Sequence, residues 1–197
     1  TLVGDEAFFA AQEFRTTRFH LVVPECRVRG IVYADWFERR SYRADSIRFS
    51  RPSFDALVNR DKPVKPFVQS PLMVHEALGS IRLPLRLDRL QITNGRLTYR
   101  ERMVVGAEPA ILTFGAVKFS VEGIANRGEA DAAIELSAQG DLMDAGTLKV
   151  RMTIPLLPTE LSLHYAGSLA AMDLTRLNAF IGIAERTRVK SGTAREA

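Results

Sequence analysis

The side chains of this protein best equipped for chemistry are three histidines, His20, His75 and His164, and a single cysteine, Cys26. The histidines stand far apart, and none falls in a spacing such as H-E-x-x-H, where two imidazoles one helical turn apart grip zinc. His75-Glu76 lies in a short helical stretch and reads as surface, while His164, between Leu163 and Tyr165, takes the polar side of an alternating segment. Cys26 follows Pro24-Glu25 in strand-like surroundings, where a structural thiol is the default. No G-x-S-x-G elbow, phosphate-binding loop or dinucleotide fingerprint occurs. The expectation is a non-enzymatic chain that uses no metal and no cofactor. One cysteine allows no internal disulfide, which fits the cytosol or a Gram-negative periplasm and argues against a small secreted disulfide scaffold.

The 197 residues can bury a substantial core, and 46% hydrophobic with 25% charged content is ordinary for a folded domain. No run approaches the roughly 18 apolar residues of a membrane span. The chain begins at Thr1, so the reading is of a piece of a longer protein whose anchoring segment lies outside it. The net charge is only +4, yet 22 of the 27 basic residues are arginine, the side chain suited to bidentate contact with phosphate or carboxylate. Basic and acidic residues are interleaved and no recognition motif appears, so nucleic acid is not an expected partner.

Stepping along the chain, the dominant signal is apolar alternation with a period of two residues. Phe19, Leu21 and Val23 alternate before Pro24, and residues 17 to 35 read as extended; a short helix is expected at residues 5 to 14 and another from Leu72 to Leu78. Residues 59 to 71, with Pro63, Pro66 and Pro71, read as a surface connection. One phrase occurs twice at an offset of 43 residues: Ile47, Phe49, Pro52, Phe54 and Ala56 match Leu90, Ile92, Gly95, Leu97 and Tyr99. A fixed offset points to a stacked, repeating architecture. Asn94-Gly95 is the commonest tight-hairpin signal, and Gly115 shifts the register as a bulge would. Later stripes, Ala132 to Ala138, Leu148 to Ile154 and Leu161 to Tyr165, are punctuated by Gly140, Asp144 to Gly146 and Pro155 to Pro158. Asp173 is a suitable N-cap for a short helix with Leu174, Leu177 and Ile181 on one face, more suited to closing one end of a sheet than to plugging it. The fold class is therefore mainly β, an antiparallel, curved, repeating sheet forming an open groove, with a few short helices. It divides into a first β repeat with a short amino-terminal helix (residues 1–60), a linker with a brief helix (61–80), a second β repeat region (81–172), and a short helix with the start of a further repeat (173–197).

The run from Leu87 to Glu101, with its Asn94-Gly95 pair, then Phe119 to Ile124, Gly146 to Val150, Met172 to Asn178 and Val189 to Gly192, resembles the recurring unit of AsmA-like bacterial cell-envelope proteins. The resemblance spans about residues 45 to 192. It implies a periplasmic protein tethered to the inner membrane by a helix not present here, with β-strands forming an apolar groove for phospholipid in transport or in outer-membrane assembly and maintenance. Phospholipid or another lipid is then the expected partner, with envelope proteins beside it. Lining candidates are Ile47, Phe49, Phe54, Leu90, Ile92, Leu97, Tyr99, Leu112, Phe114, Phe119, Val121, Ile134, Leu136, Leu148, Val150, Met152, Leu161 and Leu163. Arg39, Arg43, Arg48 and Arg51 are the candidates for headgroup contact at the rim. The alternative is a structural or assembly module, a closed sandwich or barrel that binds partner proteins without lipid, in which the same apolar residues form a dry core and the arginines a solvated face that blunts a sheet edge.

Overall fold

The computed structural model describes residues 4–66, 74–128, 132–156 and 163–195. In chain order the elements are α1 (Asp5–Ala10), β1 (Thr17–Val22), β2 (Glu25–Arg29), α2 (Tyr33–Phe37), β3 (Tyr42–Ser50), β4 (Ser53–Asn59), α3 (Val74–Gly79) and β5 (Leu85–Arg102). They continue as β6 (Ala110–Ala125), β7 (Ala133–Leu142), β8 (Gly146–Pro155), β9 (His164–Leu169), β10 (Met172–Asp173), a 3-10 turn (Leu174–Leu177), α4 (Asn178–Ala184) and β11 (Thr193–Ala194). The protein is mainly β, as its alternation predicts, and nine strands join in one open, largely antiparallel sheet. Among the described residues β1, β2 and β9 are each paired along one edge, so the sheet does not close into a barrel.

β1 and β2 form one antiparallel ribbon with β4 and β3, in a single register broken at Pro24 and Pro52: Thr17 faces Val58, Val22 faces Ser53, Glu25 faces Ser50 and Arg29 faces Ser46. The chain then crosses back and lays β5 beside β3 and β4 in parallel. Ile47 lies opposite Leu90, Phe49 opposite Ile92, Phe54 opposite Leu97 and Ala56 opposite Tyr99. The 43-residue offset of the repeat is thus the register of a parallel strand pair, and the sheet is mixed, not purely antiparallel. From β5 onward it is an antiparallel meander through β6, β7, β8 and β9.

Asn94-Gly95 makes no hairpin. Both residues lie inside the 18-residue β5, where Asn94 has φ 53° and the pairing with β6 shifts register. Arg51 (φ 53°) and Ala116 (φ 46°) do the same beside it, so three neighbouring strands bulge along one line. Arg51 N–H donates to Thr93 O at 2.8 Å and Arg96 N–H to Pro52 O at 2.9 Å, which carries the ladder across the missing proline donor. Each bulge adds one residue, so apolar positions change parity and stay on the same face. A β-carbon on buried Gly95 would sit 2.9 Å from Ile92 Cγ2, so the glycine answers a steric need.

The tight hairpin appears elsewhere. Met143 and Asp144, both with φ 53°, join β7 to β8, and Ala145 N–H donates to Leu142 O at 3.0 Å. The Met143 N–H donates to Thr113 O at 2.9 Å and its sulfur accepts from Thr113 N–H at 3.3 Å, contacts that hold two non-glycine residues in the left-handed region. Gly140, read as punctuation, is buried within β7. Residues 33 to 35, read as extended, belong to the helix α2.

Four short helices close the ends of the sheet. α3 packs Leu78 onto the buried cluster Val121, Ile134, Ile154 and Leu156, and α4 lies on β6 with Phe180 against Tyr99, 5.9 Å between rings. Both sit on the apolar face, as expected of a helix opened at Asp173, whose carboxylate accepts from Thr175 N–H at 2.9 Å. α1 and α2 serve the polar face, through Arg102 and through Trp36 against Tyr42. Among the described residues, no helix covers the middle of the sheet on either side.

Candidate functional site

Cross-strand register gathers the lining candidates into rungs. Ile47, Leu90, Val121, Leu136 and Met152 follow one another across five strands, and Phe49, Ile92, Phe119, Ala138 and Val150 form the next rung. Beyond the bulge line come Phe54, Leu97 and Phe114, then Ala56, Tyr99 and Leu112. Leu148 stands opposite Gly140, and Ile134 opposite Ile154. One continuous apolar face results, as the pleat requires when every strand alternates.

In its uncovered middle that face dips into a cavity of about 230 Å3, lined by Leu97, Phe114, Val117, Phe119, Ala138, Gln139, Gly140, Leu148 and Val150. Gly140 deepens it, because the absent side chain leaves room between Val117, Phe114 and Leu148. Reasoning from stripes reached Leu97, Phe114, Phe119, Leu148 and Val150. It missed Gly140, since a glycine in a strand contributes by what it lacks, and it left out Val117 and Ala138, which were visible in their stripes.

Two lining candidates are corrected. Val121 and Ile134, exposed by only 6% and 2%, are core residues under α3 and Leu156. Leu163 precedes β9 and is exposed, and Leu161 lies outside the described residues. Of the rim arginines, Arg48 is displaced to the opposite, polar face, where its guanidinium donates to Gln91 Oε1 at 2.9 Å and 3.2 Å. Alternation explains the shift: Arg48 sits between Ile47 and Phe49, which take the apolar side. Arg51 occupies the bulge line, Arg39 (φ 54°) follows α2, and Arg43 lies opposite Arg86, whose own partner is Asp88 at 2.6 Å.

The end of the sheet under α1 is a different chemical environment. Arg102 is nearly buried; it donates to both Asp61 oxygens at 3.0 Å and 3.1 Å and to Glu6 at 2.9 Å, and it lies 4.6 Å from the Phe9 ring centre. Burial pulls its pKa down, but hydrogen bonds and charge from Asp61 and Glu6 outweigh this and raise it. Glu101, also buried, accepts from Tyr99 Oη at 2.6 Å and from Arg60 Nε at 2.9 Å. The Tyr99 phenol is pushed up by burial, then by its bond to that carboxylate.

No family model, curated protein or solved structure matches this chain. Among the described residues no group of three or more His, Cys, Asp and Glu side chains is placed to hold a metal ion, and no helix is long and apolar enough to cross a membrane. Arg102 and Asp61 are bonded to each other and largely enclosed, while Glu6, 60% exposed, holds Arg102 through one oxygen. The apolar trough has free capacity: it can exclude water from a slender apolar ligand and grip it without a specific polar contact.

Proposed function

We propose that this chain is a non-catalytic segment of an AsmA-like, periplasmic envelope protein, whose trough takes the acyl chains of phospholipid during transport or outer-membrane maintenance. In the longer protein, a membrane anchor and further β units would extend it. The observation that supports this most is the cavity around Phe119, Leu148 and Val150, apolar throughout its exposed surface and left uncovered between the two helices that close the face at either end. Each acyl methylene buried there contributes about 0.8 kcal/mol, so a short length of tail suffices for useful affinity. The edges at β1–β2 and β9, unpaired among the described residues, suit a unit that continues into neighbours, and Phe19 and Leu21 extend the apolar rungs to the first of them. The sheet's failure to close is what favours this reading over a dry structural module.

Native mass spectrometry of the chain, purified from an envelope fraction, is the test. Phospholipid is expected to co-purify, and Ile92→Asp or Phe119→Asp to abolish it while far-UV circular dichroism keeps its β spectrum. A lipid-free protein that such changes merely unfold would return the trough to ordinary core.

A further inference from the structure

The polar face carries a larger cleft, of about 360 Å3, directly behind the apolar trough. Two rungs of the sheet line it. Gln91, Ser120, Ser137 and Arg151 succeed one another across β5 to β8, and Lys118, Gln139 and Lys149 do so one rung away. Lys118 and Lys149 are two strands apart, about 9–10 Å between backbones, and Lys149 and Arg151 are about 7 Å apart along one strand. Three long, flexible stems at these separations can bring their cationic heads onto one small anion.

What distinguishes these cations is that no side chain among the described residues pairs with them. Arg60, Arg89 and Arg102 elsewhere in the sheet each hold a carboxylate. Lys118, Lys149 and Arg151 make no hydrogen bond or ion pair among the described residues, and no carboxylate lines their cleft. The nearest acids on this face stand one rung outside the cleft: Glu122 pairs with Arg89, while Glu135 and Asp141 keep their charge and accept from the Thr153 hydroxyl at 2.9 Å and the Thr147 hydroxyl at 2.7 Å. Like charges collected in a concavity whose lining holds no carboxylate focus a positive potential there, and the hydroxyls of Ser120 and Ser137 and the amide of Gln139 stand between them as neutral donors. A tetrahedral, multiply charged oxyanion matches that array, because it accepts from several directions at once.

We propose that this cleft is a phosphate-binding site, recognising the phosphate group itself, whether free or as the headgroup of a lipid. It is independent of the trough, so lipid-free protein is a valid sample and failure of the lipid reading leaves it untouched. Titration of the isotopically labelled chain with inorganic phosphate, followed by amide NMR, is expected to shift Lys118, Gln139, Lys149 and Arg151 together. Lys118→Gln, Lys149→Gln and Arg151→Gln should each weaken binding about threefold to fivefold, and Arg186→Gln, a distant exposed arginine, should not. A parallel titration with short-chain phosphatidic acid separates the sources: equal affinity assigns the site to free phosphate, markedly tighter binding to the lipid headgroup. Shifts scattered over every basic residue, phosphatidic acid binding without phosphate binding, or equal losses in the Arg186 variant would overturn the proposal.

Discussion

The end and the middle of one strand teach different lessons. Around Arg100 to Arg102, β5 is sealed: helix α1, the Asp61 carboxylate and the Phe9 ring enclose Arg102. Around Ile92 to Leu97, no helix among the described residues covers the same strand, and its apolar side chains border a cavity. Stability is therefore concentrated at the closed ends, and the middle is left available for binding. Four substitutions test that division, the first three at the sealed end and the bulge line, the last in the trough.

The largest effect is expected from Arg102→Ala. It strips Asp61 of both its guanidinium bonds and leaves a nearly buried carboxylate without its partner, a change that typically costs about 3–5 kcal/mol. Urea denaturation monitored by circular dichroism measures it. A loss below about 1 kcal/mol would mean that the sealed end does not hold the sheet. Next comes Gly95→Val on the bulge line, where the first added carbon already meets Ile92 Cγ2 at 2.9 Å and Pro52 Cγ at 3.5 Å. Overpacking of this kind costs about 1–3 kcal/mol. Recovery on pairing Gly95→Val with Ile92→Ala would locate the strain in that contact.

Tyr99→Phe is smaller and has a pH signature. Losing the phenol bond to buried Glu101 costs about 0.5–1.5 kcal/mol near neutrality. Because the folded-state pKa of Tyr99 is raised above its ordinary value of 10.0, folding favours the protonated phenol. That contribution is fully present below the unfolded pKa and is lost as pH rises through the folded one. Melting temperature in the parent should thus fall more steeply than in Tyr99→Phe as pH is taken above 10.0. Parallel alkaline limbs would show that Tyr99 does not titrate in this range.

Alternation made the strands legible in the sequence, and the offset between Ile47 and Leu90 revealed a true register. What the offset left open was direction, because parallel and antiparallel neighbours show the same apolar period; only the course of the chain from Arg60 to Pro84 decides it. Asn94-Gly95 misled because a left-handed residue serves a bulge as well as a turn, while the actual tight turn used Met143-Asp144, supported by Thr113 from another strand. The trough was legible as stripes, but its depth was not, since it comes from the missing side chain of Gly140. The Arg102 cluster was beyond reach, because Glu6 and Arg102 are 96 residues apart and no local pattern links them.

The smallest expected effect separates the two regions most sharply. Val150→Thr replaces one methyl group by a hydroxyl with almost no change in volume, so packing is preserved and only polarity changes. In a dry core the new hydroxyl would lack a partner, at a cost of about 1–3 kcal/mol. Val150 instead borders a cavity open to water, where the hydroxyl stays solvated and the cost should stay within about 0.5 kcal/mol. Val121→Thr, the same swap at a position buried at 6% exposure beneath α3 and Leu156, supplies the dry reference and should show the full penalty. Equal losses at the two positions would mean that the middle of the sheet is as closed as its ends, and the trough would then have no room for a ligand.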